Sequence, residues 1–213
     1  MKLFLKTIAV FAATVFMSAC SVFGNSGVEI APYKVLEQDG AIEIRHYESL
    51  VLVTTDMPGG MEEGQNEAFQ RLFKYISGEN EPKREIAMTA PVIMQNQDAG
   101  QKIEMTAPVF MSNQGENQTM SFVLPVQYDF QTAPKPANSS VRLEEIKDYK
   151  VAALQFSGLL NEKNIQRHHS LLQNWIDNSD YQKTGSYMTA GYNPPWTLPF
   201  LRRNEILIPV EKK

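Results

Sequence analysis

The sequence predicts an α+β fold made from one β-β-α-β-β unit used twice. Three observations predict it: short motifs recur at an offset near one hundred residues, strand-like runs recur with them, and one amphipathic helical stretch falls at the same place in each half. Met88-Thr89-Ala90-Pro91 returns as Met188-Thr189-Ala190-Gly191, and Pro108-Val109 returns as Pro209-Val210. Ile42 and Gly59 find Val141 and Gly158 at nearly the same offset. Each match is weak alone, but a shared offset is hard to obtain by chance.

In the first half, residues 41–47 (AIEIRHY) alternate apolar and polar, and residues 50–55 (LVLVTT) are β-branched and apolar. Two strands are expected there, joined by a tight turn at Glu48-Ser49. Gly59-Gly60 breaks the pattern. A helix is expected from about Met61 to Ile76, because Ala68, Phe69, Leu72, Phe73 and Ile76 form one stripe, and Gly78 suits its end. Strands at 85–94 and 102–111 follow. They carry a shorter repeat of offset 17, in which the MTAPV motif of 88–92 returns at 105–109, and Gln95 to Gln101 reads as the hairpin loop between them. Pro91 and Pro108 cannot donate to a ladder and mark bulges or edges. A further strand at 119–126 bridges the halves.

The second half repeats the order. Strands are expected near 141–146 and 149–156, with Gly158 as the break and Asn161 as the helix N-cap. The helix runs to about Asp177 with Ile165, Leu172, Trp175 and Ile176 inward, and strands at 186–192 and 204–211 close the half. Two curved sheets with a helix each would enclose one shared core.

Composition excludes several classes. Of 213 residues 43% are hydrophobic and 21% charged, an ordinary globular mix, so disorder is not the main state. One cysteine excludes a disulfide framework or a Cys-cluster metal site. The formal charge is −4 and no Lys/Arg run stands out, which argues against a nucleic-acid partner.

The first residues read as an address. Lys2 and Lys6 precede an uncharged, mostly apolar stretch from Thr7 to Ala19 that is too short for a stable span and fits a secretory leader. Met17-Ser18-Ala19-Cys20 resembles the lipobox of bacterial lipoproteins, which implies a signal peptide at 1–19, cleavage before Cys20, lipidation of Cys20, a tether at 20–31 and a folded domain at 32–213. Several acyl chains make such anchoring stable. Ser21, rather than Asp, follows the cysteine, so the resemblance implies an outer-membrane destination facing the periplasm. Loss of Lys2 and Lys6 with the leader takes the formal charge to −6.

The folded part resembles the SOUL family of haem-binding proteins. The matching pieces are Ile44-Arg45-His46-Tyr47, MTAPV at 88–92 and 105–109, Ala190-Gly191-Tyr192-Asn193-Pro194-Pro195 and Arg202-Arg203-Asn204-Glu205. The resemblance implies a distorted eight-stranded antiparallel β-barrel flanked by two helices, built from two pseudo-symmetric halves. It implies reversible binding of haem or another tetrapyrrole in a shallow apolar pocket beside a helix, without chemistry on the ligand.

Haem calls for an apolar slot, an axial donor and cations for its propionates. His46 matches the position proposed in the family as an axial ligand, and period two places it on the face of Ile42 and Ile44; the other reading is a half-exposed rim residue. His168 and His169 lie mid-helix, where neighbours cannot face one metal from one side. Met57, Met61, Phe69 and Met105 are candidates to line the pocket, although methionine is more often an adaptable core filler. Arg202 and Arg203 either pair propionates or, the preferred reading, pair Glu205 or another carboxylate to hold the last strand. No nucleophile elbow, HExxH or phosphate loop is present, so a non-enzymatic binder is expected. The rival readings are a module for another amphipathic molecule, with the architecture of the gyrase-inhibitor-like group, and a structural envelope lipoprotein without a ligand.

Overall fold

The structure is a computed structural model and describes residues 29–58, 64–81, 86, 88–90, 92–98, 113–193 and 196–213. The leader, Cys20, Met61, Met105 and the second MTAPV copy lie outside them. The chain enters through β1 (Glu29–Ile30) and β2 (Lys34–Asp39), then the long strand β3 (Ile42–Met57) and helix α1 (Gln65–Ile76). After β4 (Asn80–Glu81) come β5 (Thr89–Ala90), β6 (Val92–Asp98), β7 (Asn113–Val123) and β8 (Lys135–Pro136). The second half holds β9 (Val141–Phe156), helix α2 (Glu162–Asp177), β10 (Tyr181–Lys183), β11 (Met188–Gly191), a 3₁₀ turn at Pro199–Leu201 and β12 (Asn204–Lys212). The fold is therefore α+β, with two helices on a large antiparallel sheet.

The duplication is visible in the pairing. In the first half β3 pairs β7 and β7 pairs β6; in the second β9 pairs β12 and β12 pairs β11. The halves join along β3–β9 and along β6–β11. The strand path runs β10-β12-β11-β6-β7-β3-β2, and β9 lies off it, paired with both β12 and β3.

Three expectations need correction. Glu48-Ser49 is not a turn: β3 is one strand of 16 residues, and so is its repeat β9. Polar, exposed residues at 48–49 and 147–148 look like turns in sequence. In the fold the two long strands pair with each other in one continuous register, from Tyr47↔Tyr149 on to Ser49↔Lys147, and Asp148 takes φ +49° between them. Each half is thus β-α-β-β with one long bent strand. Secondly, the strand expected at 119–126 does not bridge the halves. It belongs to β7, the last strand of the first half, and stops at Val123 ahead of Pro125. Thirdly, β6 runs on to Asp98, through residues expected to form a loop.

Alternation along the strands divides the core into three layers. Leu50 and Leu52 of β3, Val151 and Ala153 of β9, and Leu207 of β12 meet Tyr47, Tyr149, Met188 and Tyr192 in the shared interior. Val51 and Val53 face the other way, onto Ala68, Leu72, Tyr75 and Ile76 of α1. Ile44, Ala152, Leu154, Ile206 and Ile208 face Ile165, Leu172 and Ile176 of α2. The apolar stripe of α1 is centred on Leu72 and includes Tyr75, whereas Phe73 is 46% exposed and stacks on Phe69 with centroids 6.1 Å apart. The start of α2 is as expected: Asn161 accepts from the Asn164 amide at 3.0 Å. Asn161→Ala should therefore cost about 1 kcal/mol, measured as a shift in the urea midpoint.

Candidate functional site

A cleft of about 480 Å³ opens where the entering chain crosses the bend of β3. Ala31, Pro32, Tyr33 and Lys34 line it from the entering chain, His46 and Glu48 to Val51 from β3, and Val123, Leu124, Val126, Tyr128 and Asp129 from the end of β7 and the segment after it. Leu50, Val51, Val123 and Leu124 are buried at its base, and Val126 is exposed at its rim. The cleft lies at the strand bend, and no residue of α1 or α2 lines it.

His46 stands in this cleft. Its Nε2–H donates to Asp148 Oδ1 at 2.7 Å, across the β3–β9 pair in which His46 is opposite Lys150. A carboxylate accepting from Nε2 leaves Nδ1 as the nitrogen with a free lone pair in the neutral ring. Lys34 pairs with Glu48 on the same side, and this contact holds the Glu48 carboxyl below its ordinary value. Asp129, at the far wall, is likewise lowered by backbone N–H groups of Thr132 and Gln131.

The other predicted residues sit elsewhere. Met57 is 1% exposed, in the core beneath α1. Phe69 packs edge-on against Phe122 at 5.4 Å. Arg202 Nε donates to the Thr197 carbonyl at 2.8 Å. Arg203 donates twice to Glu205, at 2.9 and 2.7 Å, and lies 4.1 Å over the Tyr192 ring. Its partner is thus the Glu205 that the structural reading named. Of the predicted set within the described residues, His46 alone lines the cleft. Tyr33, Lys34, Leu50 and Tyr128 carried no sequence signal of a site: the first two follow closely on the expected tether at 20–31, and Tyr128 lies just past the strand expected at 119–126. Pro125, whose carbonyl accepts from the Tyr128 amide at 2.9 Å, was the signal that the strand had ended.

Behind the cleft lies a buried ionic cluster. Arg45 is 2% exposed and donates to Glu205 through two nitrogens, at 2.7 and 3.0 Å. Tyr192 donates to the same carboxylate at 2.6 Å. Burial would raise the Glu205 carboxyl, but the Arg45 hydrogen bonds and charge, then Arg203 and Tyr192, leave it below its ordinary value. Burial raises Tyr47 to about 12, against the opposing charge of Arg45. Tyr33 links this cluster to the cleft, with Arg45 4.4 Å over its ring and its hydroxyl accepting from Arg203 at 3.5 Å. Among the described residues no group of three His, Cys, Asp or Glu side chains could hold a metal ion.

Elsewhere on the second helix, His168 donates from Nδ1 to the Asn164 carbonyl at 2.7 Å and stacks on Phe156 at 4.0 Å. His169 lies against Tyr187, and burial followed by the Lys183 charge lowers its imidazole. Both histidines are packed by their own helix and its neighbours.

Comparison with known proteins follows the same outline. Solved structures of similar fold include the EcmrR C-terminal domain (TM-score 0.59, 13% identity, 85% of this chain and 99% of that one). A hydrolase from Listeria innocua is also similar (TM-score 0.54, 11% identity, 83% and 94%). At these identities the likeness is one of fold. In sequence the chain is 31% identical to heme-binding protein 1 of Xenopus tropicalis over 191 residues, covering 87% of this chain and 93% of that protein. It is 27% identical to the Mus musculus protein of the same name (87% and 94%) and 30% identical to human heme-binding protein 2 (83% and 81%). Residues 28–99 and 93–209 match the SOUL heme-binding protein family, and the chain belongs to that family.

Proposed function

We propose that the protein is an envelope-anchored, non-catalytic carrier or buffer of haem or a related tetrapyrrole, held by lipid on Cys20 at the outer membrane and facing the periplasm. The observation that carries the reading is family membership across almost the whole folded chain, with relatives named as heme-binding proteins. We read the return of β9 from β12 to β3 as closure of the distorted barrel, with β2 and β10 at its margins.

The residues present fit the ligand class. When bound, haem brings a flat apolar macrocycle, an iron that accepts an axial imidazole, and two carboxylates. A cleft near 480 Å³ is of small-molecule size, and its base is aliphatic. His46 offers an imidazole whose Nε2 is already oriented by a carboxylate, the arrangement that commonly fixes a ligating histidine. With Arg203 committed to Glu205, Lys34 is the cation at the cleft wall, and a propionate would compete there with Glu48.

Hemin titration of residues 21–213 tests this. A saturable Soret shift is expected at micromolar Kd, about −8 kcal/mol. His46→Ala should weaken binding about tenfold or more, about 1.4 kcal/mol, and alter the Soret position. A shift that survives unchanged removes His46 as ligand; no saturable shift in the parent protein sinks the haem reading and favours another amphipathic molecule.

A further inference from the structure

Opposite in character to the cleft is the loop ahead of β12. Trp196 is 68% exposed, Leu198 42% and Phe200 69%. Three large apolar side chains at alternate positions of one loop are not scattered surface residues. Leu159, 48% exposed, follows Gly158, whose N–H donates to the Pro199 carbonyl at 2.8 Å, and extends the patch. Contiguous apolar surface of this kind marks a contact with another phase or molecule.

The loop is braced. The Leu201 amide donates to the Leu198 carbonyl at 2.9 Å, Arg202 Nε to the Thr197 carbonyl at 2.8 Å, and the Arg203 amide to Asn193 Oδ1 at 2.7 Å. The aromatic side chains are therefore presented outward on a fixed base. Charge points the same way: no carboxylate occurs between Asn193 and Asn204 in a chain of formal charge −4, while Arg202 adjoins the loop. Tryptophan and phenylalanine beside arginine suit the headgroup boundary of a bilayer containing anionic lipid.

Position identifies the occupant. The chain entering from Cys20 reaches the body at Glu29–Tyr33, and the Tyr33 hydroxyl accepts from Arg203, three residues from Phe200. Entry point and exposed loop thus share one end of the molecule. Eight residues lie between Cys20 and Glu29, so an extended tether of nine Cα–Cα steps spans at most about 32 Å. A lipid on Cys20 would keep that end close to the membrane.

We propose that Trp196, Leu198 and Phe200 form a wedge that enters the interface of the phospholipid bilayer to which Cys20 tethers the chain, setting the orientation of the body and its cleft. The proposal rests on the anchored reading above and adds a second membrane contact to the lipid.

The test uses the full lipidated chain in vesicles of phosphatidylethanolamine and phosphatidylglycerol, with plain or brominated acyl chains. The two tryptophans are Trp175 and Trp196, so Trp175→Phe leaves Trp196 as sole reporter and Trp196→Phe leaves Trp175. Brominated lipid should dim Trp196 several-fold and leave Trp175 nearly unchanged. Phe200→Asp, at a site 69% exposed and tolerant of polarity, should restore much of the Trp196 emission. Vesicle flotation is read in parallel. A chain that floats with Trp196 equally bright in both lipids overturns the wedge and leaves the anchor intact; a chain that does not float overturns both.

Discussion

Replacing Glu205 with alanine should cost the fold about 3–5 kcal/mol. The carboxylate is fully buried and receives two hydrogen bonds from Arg45, two from Arg203 and one from Tyr192. Its removal leaves Arg45, 2% exposed, with the half-buried Glu43 carboxylate at 2.7 Å as its charged partner. Unpairing a buried charge costs more than the pair itself contributes, because the guanidinium has lost its water and gains nothing in return. The consequence reaches β3 and β12 together, since Arg45 and Glu205 belong to those strands. Urea midpoints for the parent and Glu205→Ala give the measurement; equal midpoints would show the cluster to be energetically idle.

Acid should act through the same group. The folded carboxyl lies below its ordinary value of 4.5, so the stability it contributes is complete above that value. It is lost as pH falls through the folded pKa, because the unfolded chain then binds the proton more readily. Stability should fall on acidification below about pH 4.5 with a steeper slope in the parent than in Glu205→Gln.

Phe122→Ala should be nearly as damaging, at about 3–5 kcal/mol. Phe122 is 1% exposed, sits on β7 between β3 and β6, and meets Phe69 of α1 edge-on at 5.4 Å. Truncation removes apolar area and leaves a cavity that a sheet bonded on both sides cannot close. Phe73→Ala is the internal comparison. It too lies in the aromatic row of α1, but its ring is half in solvent, so the loss should stay near 1 kcal/mol or below. Thermal or urea unfolding of the two variants separates them; similar losses would mean that the Phe69–Phe73 face, not the Phe122 seat, carries the attachment of α1.

Local periodicity made much of the fold legible. Ile165, Leu172 and Ile176 marked the inner face of α2, and Asn161 marked its start, because both signals depend on neighbours within a few turns. The repeat at an offset near one hundred is seen in the two long strands β3 and β9 and in the two helices, whereas the strand expected at 102–111 as the counterpart of 204–211 lies outside the described residues and β7 holds the place that answers to β12. The bend at Glu48 and Asp148 was not legible: exposed polar residues look alike at a chain reversal and at a kink in a long pair, and only the partner strand distinguishes them. The site was legible in one residue. His46 could be placed on a face by alternation, but Val123 and Tyr128, which line the same cleft, come from a segment distant in sequence.

What the sequence determined by itself is the set of apolar and polar faces, the element order, the duplication and the family, all of them written in short-range pattern or in linear motifs. Only the tertiary structure decided that Arg45 and Arg203 share Glu205, that Asp148 meets His46, and that Tyr33, where the chain enters, meets Arg203. Charges and hydrogen bonds find partners according to distance in space, and that distance exists only once β3, β9 and β12 have closed their ladders.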